Sequence, residues 1–209
     1  MAAGMFSCQR SSLASWQQAG ERCMCLTHPE AERNPMILSL FRKNTATDAV
    51  YGVYTAIVAQ SRQPVFYAEW GVPDTVTGRF DMISLHMALL FRRLRSHEET
   101  KEFSQAVFDL FFKDMDRSLR EMGVTDMGIP KKIQKMGNLF FGLLAAINEA
   151  MDRDDKEALA TVFARNIYES ADLGHARTLA DYFVAQDQAL AALPVESITG
   201  GTVTFGTAA

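Results

Sequence analysis

Apolar positions along the chain fall at three- and four-residue intervals, the period of helices that bury one face. Val50, Val53, Tyr54, Ile57 and Val58 predict a first helix, capped by Thr47 with Asp48 and fading near Gln63 ahead of Pro64. Val65 to Trp70 reads as short, aromatic and extended, and GVPDTVTG after it as a turn-rich connector. Arg79 to Arg95 is amphipathic, with Phe80, Ile83, Met87, Leu90, Phe91 and Leu94 in one stripe. Glu98 to Met122 predicts a second long helix with Phe103, Val107, Leu110, Phe111, Leu119 and Met122 on its stripe. Gly123 is its stop signal.

Asp126 to Pro130 is a predicted loop, with Pro130 suited to a first helical turn. Ile133, Met136, Phe140, Leu143, Leu144, Ile147 and Met151 mark the next helix. Gly137, Gly142, Ala145 and Ala146 on it are small enough for a neighbouring helix to come close. Asp152, Asp154 and Asp155 favour a helix start ahead of Leu159, Val162, Phe163 and Ile167. A last helix is expected from about His175 to Leu193, ended by Pro194. The tail SITGGTVTFGTAA alternates too weakly for a central strand. The predicted fold is all-α: a single compact bundle of about five to seven helices with irregular N- and C-terminal extensions. Residues 1–35 show no period and are expected to be a disordered or artefactual leader, Met36 looking like a natural start. The helical domain is expected over 36–194 and a flexible tail over 195–209.

Composition narrows the function more than the fold. The 209 residues are 48% hydrophobic and 22% charged, as in an ordinary soluble globular protein. The net charge of −4 is unevenly spread: residues 150–209 hold 4 basic against 9 acidic side chains, and residues 36–149 hold 14 against 13. A weakly charged centre and an acidic end argue against nucleic acid as a partner. Cys8, Cys23 and Cys25 all precede the predicted domain, so no disulfide framework is expected there. Cys23, Cys25 and His28 lack a fourth ligand and the usual zinc spacing. The longest apolar run, Leu139 to Ile147, is nine residues, where a membrane span needs roughly twenty.

The chemistry-bearing residues do not assemble into a reaction centre. Asp109, Asp114 and Asp116 invite comparison with all-α enzymes that hold magnesium, but Asp114 lies off the face that Asp109 and Asp116 share. No second acidic cluster answers them. Asp114 with Arg117 and Asp116 with Arg120 have the spacing of helix-surface ion pairs, worth about 0.2–0.5 kcal/mol each. His86 lies beside an apolar stripe with no partner that would make it a general base, so a hydrogen-bonded, partly buried histidine is expected. Nucleophile, phosphate-loop and dinucleotide motifs are absent. Neither an enzyme nor a resident cofactor or metal is expected. Arg92 and Arg95, Arg117 and Arg120, and Lys131 and Lys135 each share a face. Phe108, Phe111 and Phe112 wrap more than one side of their helix, so either that helix is buried on several sides or part of its apolar surface awaits a partner.

WGVPDTVTGRFDMISLHMALLFRRLR and FSQAVFDLFFKDMDRSLREMGVTDMGIPKKIQKM together resemble the ubiquinol–cytochrome c chaperone family, over roughly residues 50–168. The resemblance implies a non-enzymatic all-α assembly factor of the cytochrome bc complex, respiratory complex III, whose client is newly made cytochrome b. A second assembly factor accompanies mitochondrial members, and contact with anionic lipid is also possible on this reading. A bacterial member is implied, peripheral at the cytoplasmic face of the inner membrane; the alternative is the matrix side of the mitochondrial inner membrane. By position, Asp74, Gly78, Arg79, Phe80, Asp81, His86, Asp114, Asp116 and Pro130 are expected to be structural. Trp70, Arg92, Phe108, Phe112, Arg117, Arg120, Lys131, Lys132 and Lys135 are the expected partner contacts. The rival functions are a haem-handling all-α protein using His86 and an adaptor that tethers other assembly factors.

Overall fold

A computed structural model describes residues 36–169 and 173–208, with side chains from residue 46 onward. The predicted leader over residues 1–35 lies outside the described residues. The described chain is all-α, without a strand: α1 (Met36–Ser61), α2 (Pro64–Ala68), α3 (Val76–Leu94), α4 (Lys101–Glu121), α5 (Ile129–Asp152), α6 (Lys156–Asn166), α7 (Gly174–Ala191) and α8 (Val195–Thr199). A 3₁₀ turn over Glu98–Thr100 leads into α4. Six of the helices have eleven residues or more, and α2 and α8 have five each.

The bundle is built on α3, which touches α1, α4, α5 and α7. Its residues from Met82 to Leu90 are all buried, so it is enclosed on every side rather than along the single predicted stripe. A one-sided reading missed this because Ser84 and His86 interrupt the apolar run as polar residues. The α6–α7 hairpin packs on α5 and α3, and α4 closes the other side across α1 and α5.

Helix boundaries follow local chemistry in most places. The Thr75 hydroxyl accepts from the Gly78 amide at 3.1 Å and caps α3, which begins at Val76, three residues before the predicted start. Gly123, at φ 78°, ends α4, and Pro130 sits in the first turn of α5. Asp155 caps α6 by accepting from the Ala158 amide at 2.9 Å. At the far end of α7, the Arg93 guanidinium donates to the Leu190 and Leu193 carbonyls at 2.9 and 2.8 Å.

Three local expectations are corrected. Thr47 and Asp48 do not begin a helix, because α1 already starts at Met36 and no proline or glycine interrupts the intervening sequence. Val65 to Trp70 is not extended: Pro64 opens α2, whose ring partners outweigh the strand preference of its residues. Phe66 is fully buried and meets Trp70, His86 and Tyr182 edge-on at ring separations of 5.3, 5.8 and 5.2 Å.

The third correction concerns residues 195–209, expected to be a flexible tail. Val195, Ile198 and Val203 are buried, and Phe205 meets the His86 ring at 5.4 Å. The chain docks on α1 where two glycines meet. A Cβ on Gly52 would lie 2.7 Å from the Gly201 carbonyl oxygen, and one on Gly201 would lie 2.8 Å from Ala49 Cα. Gly201 also has φ 97°. Periodicity could not reveal this segment, because close backbone approach, rather than alternation, holds it.

Candidate docking surface

The fold separates the aromatic and cationic residues expected to contact a partner into interior and exterior groups. Trp70 belongs inside. It is 8% exposed, meets Phe66 and Tyr182 edge-on, and its carbonyl accepts from the Tyr168 hydroxyl at 2.9 Å. Its expected role as a partner contact is therefore corrected to a core role. Arg92 moves inward as well, with only 13% of its side chain exposed. It bridges Asp152 at 2.7 Å and Asp187 at 3.2 Å, while Arg95 grips Asp152 through two bonds of 2.8 and 3.0 Å. Arg95 first and Arg92 second hold the Asp152 carboxyl far below the usual range. The group clamps α3, α5 and α7 together.

His86 anchors a buried polar chain. Its Nδ1 donates to the Met82 carbonyl at 2.7 Å, which leaves Nε2 to accept from the Tyr182 hydroxyl at 2.8 Å. Tyr182 in turn accepts from Gln60 at 2.8 Å, and Gln60 also donates to the Gly206 carbonyl at 2.9 Å. Gln186 accepts from the Gly206 amide at 2.7 Å. Both imidazole nitrogens are engaged, and burial lowers the ring's pKa to about 4, so the ring is neutral at physiological pH. Burial likewise pushes the Tyr182 hydroxyl up to about 12. The histidine is more deeply buried than the sequence suggested. Tyr182, Gln60, Gln186 and Gly206 were not legible, since their links span up to 146 residues.

The expected structural residues near the connector divide by role. Asp74 pairs with Arg79 at 2.7 Å on the surface, bracing the entry to α3. A Cβ on Gly78 would lie 2.0 Å from the Pro73 carbonyl oxygen, so only glycine fits there. Phe80 stacks on Phe111 at 5.5 Å and joins α3 to α4. Asp81, expected to be structural, is half-buried in the first turns of α3; desolvation, then the neighbouring Glu169 charge, raises its pKa to about 7. Asp114 accepts from the Tyr54 hydroxyl at 2.9 Å and pairs with Arg117. Asp116 pairs with Arg120 at 2.7 Å, and Arg120 also reaches Asp126.

An aromatic face remains on the outside of α4 and α5. Phe111 and Phe140 form its buried floor. Phe108 and Phe112, half-buried and 4.6 Å apart, make the middle layer. Phe141 is 55% exposed and packs 5.5 Å from Phe108, and Leu139 beside it is 50% exposed. Among the described residues no neighbouring helix reaches Gly142, where a Cβ would meet nothing within 4 Å. The close helix approach expected there does not occur, and this stretch of α5 faces outward.

Lys131, Lys132 and Lys135 stand exposed at the beginning of the same helix. Lys131, Lys135 and Leu139 follow one another at four-residue steps, so the cations lead directly onto the apolar face. Among the described residues none of the three lysines forms an ion pair, whereas Arg117 and Arg120 face carboxylates. The first turn of α5 contains no acidic residue, so Lys131 and Lys132 oppose the helix dipole instead of complementing it. Fold stability does not account for their position.

No group of three or more metal-ligating side chains occurs among the described residues. None of the described helices is long and apolar enough to cross a membrane. Residues 68–205 match the family model described as ubiquinol–cytochrome c chaperone. The chain is also similar to the Cbp3 homolog from Brucella abortus, known from a crystal structure, at 37% identity and a TM-score of 0.74. That similarity covers 83% of this chain and 98% of the other. No curated protein matches the chain. The family match extends past Tyr168 into the C-terminal segment, which the sequence resemblance had left out.

Proposed function

This chain belongs to the ubiquinol–cytochrome c chaperone family, and on that premise we propose that it captures newly synthesised cytochrome b on the aromatic face of α4 and α5. Complex III assembly is the setting that the family and the Brucella abortus homolog support. The observation that carries the choice of surface is the outward layer of Phe108, Phe112, Leu139 and Phe141, edged by three exposed lysines, two of them set against the helix dipole. Apolar burial at about 25 cal/mol per Å² would supply the affinity, and the lysines would set encounter rate and register. The same rim suits anionic lipid, which supports a peripheral position at the membrane where its client inserts. The cytoplasmic face of a bacterial inner membrane is the proposed site of action, and the mitochondrial matrix face is the alternative. A second assembly factor is a further possible partner. The role is non-enzymatic, as befits a chaperone family.

Site-specific photo-crosslinking from Phe112, Phe141 and Lys132, with Glu157 as a distant control, tests the surface in cells making cytochrome b. Crosslinks to cytochrome b from the first three positions alone are expected. Folded protein that crosslinks only to another assembly factor would make the protein an adaptor and sink the client reading.

A further inference from the structure

We propose that a trough between α1, α4 and α8 is a second docking site, built for an apolar helix with an acidic first turn and a basic last turn. The trough has a volume of about 1070 Å³ and a floor that includes Val50, Tyr51, Phe103, Leu110 and Val195. Tyr51, 49% exposed, is among the large apolar side chains that the bundle leaves uncovered. A second hollow of about 370 Å³ shares Tyr51, Leu110 and Lys113 with it, so the two form one channel along α4.

Charge divides that channel. Glu99, Glu102, Asp109 and Glu196 border the larger part, against Lys113 alone. Arg62, Lys113 and Arg117 border the smaller part, against Asp114, which already holds Tyr54 and Arg117. Glu102, Ala106, Asp109, Lys113 and Arg117 recur at three- and four-residue steps on one face of α4. The fifteen residue steps from Glu102 to Arg117 span about 22 Å, the length of a four-turn helix. This face lies roughly a third of a turn around α4 from Phe108 and Phe112, so it is distinct from the aromatic surface.

The occupant follows from this layout. A straight apolar floor beside a helix takes another helix, by ridges packed into grooves. Its cationic end must meet Glu102 and Glu196, and its acidic end Arg62 and Arg117. A helix is most stable with acids in its first turn and cations in its last. The bound helix therefore runs antiparallel to α4, with the two dipoles opposed. Lys and Arg are also enriched at the non-translocated ends of membrane-spanning helices. The client's own juxtamembrane segment is thus the natural occupant. That identity rests on the client reading above, whereas the trough's preference for a basic-ended helix does not.

The test uses the full-length chain and three fluorescein-labelled 18-residue peptides sharing one leucine face. One carries glutamates first and lysines last, one has that order reversed, and one is uncharged. Fluorescence anisotropy is expected to show at least tenfold tighter binding of the first peptide than of the reversed one, weakening steeply with salt. Glu102→Lys with Glu196→Lys should remove that preference, and Phe141→Ser should leave it intact. Ala106→Trp, which fills the floor without altering charge, should weaken all three peptides. Equal affinities for the two charged orders, or an unaltered preference in the folded charge-reversal variant, overturn the proposal. So do crosslinks from a photoreactive residue at position 106 to residues 1–35 of the same chain, since the trough would then hold its own segment. Because these peptides contain nothing of cytochrome b, failure here is separate from failure of the aromatic surface in cells.

Discussion

His86 and Asp81 sit five residues apart on α3 and pull the pH dependence of stability in opposite directions. Burial lowers the His86 pKa from 6.5 to about 4, so the unfolded chain takes up the proton first. The stability this neutral ring contributes is complete above about pH 6.5 and is lost as pH falls towards 4, by about 3 kcal/mol in all. Asp81, raised from 3.8 to about 7, behaves the other way: stability falls as pH rises from about 4 to 7, because the folded chain resists ionising it. Wild-type stability from urea unfolding should therefore vary little between pH 4 and 7. Asp81→Asn should be more stable than wild type at pH 7.5 and should show a clear decline on acidification. A flat profile in that variant would show that His86 is not held neutral. Gly78 offers a second test at this scale. Gly78→Ala drives a methyl group into the Pro73 carbonyl oxygen, and we expect a loss of at least about 2 kcal/mol, a fall in Tm of roughly 4–8 °C.

Among the elements, α5 separates stability from function. Lys131→Glu with Lys132→Glu replaces cations that oppose the helix dipole with anions that suit it, each dipole interaction being worth about 0.3–1 kcal/mol. Thermal melting should show an unchanged or higher Tm, while pulldown of cytochrome b should weaken. Intact capture by this variant would remove the basic rim from the mechanism. The helices themselves were largely legible: α4 and α5 carry strong stripes, proper stop signals and a proline in the first turn. What the pattern could not show was how many sides of a helix are covered. The apolar run of α3 looked one-sided because its interior contains Ser84 and His86, although both are buried. The aromatic excess on α4 was read correctly as more than one stripe. The pattern put Phe111 on the inward stripe and Phe108 and Phe112 among the outward residues, and the fold has Phe111 fully buried and the other two half-buried. Trp70 and Arg92 were misplaced for the same reason, since their burial depends on Tyr182 and Asp187, each more than ninety positions away in the sequence.

For the molecule as a whole, the segment after α8 is the least expected structural part. Deletion of residues 203–209 removes Val203 and Phe205 from the core, and Gln186 loses both of its Gly206 hydrogen bonds. A buried amide left unpaired costs about 1–3 kcal/mol before any apolar loss is counted. We expect a Tm more than 5 °C lower and faster hydrogen exchange across α7. A truncated chain as stable as the full one would return this segment to the status of a loose tail.

The bond from Gln60 to the Gly206 carbonyl joins residues 146 positions apart, and this has a consequence for the order of events during synthesis. Helices α1 and α3 can form and begin to pack as they emerge, yet their shared polar interior stays incomplete until Gly206 has been translated. Contacts of such long range slow folding and leave partly packed states exposed in the meantime. A member of a chaperone family would thus pass through its own unguarded interval. Ribosome-bound chains that stop short of Gly206 should be open to protease within α7, and chains extended well beyond it should resist.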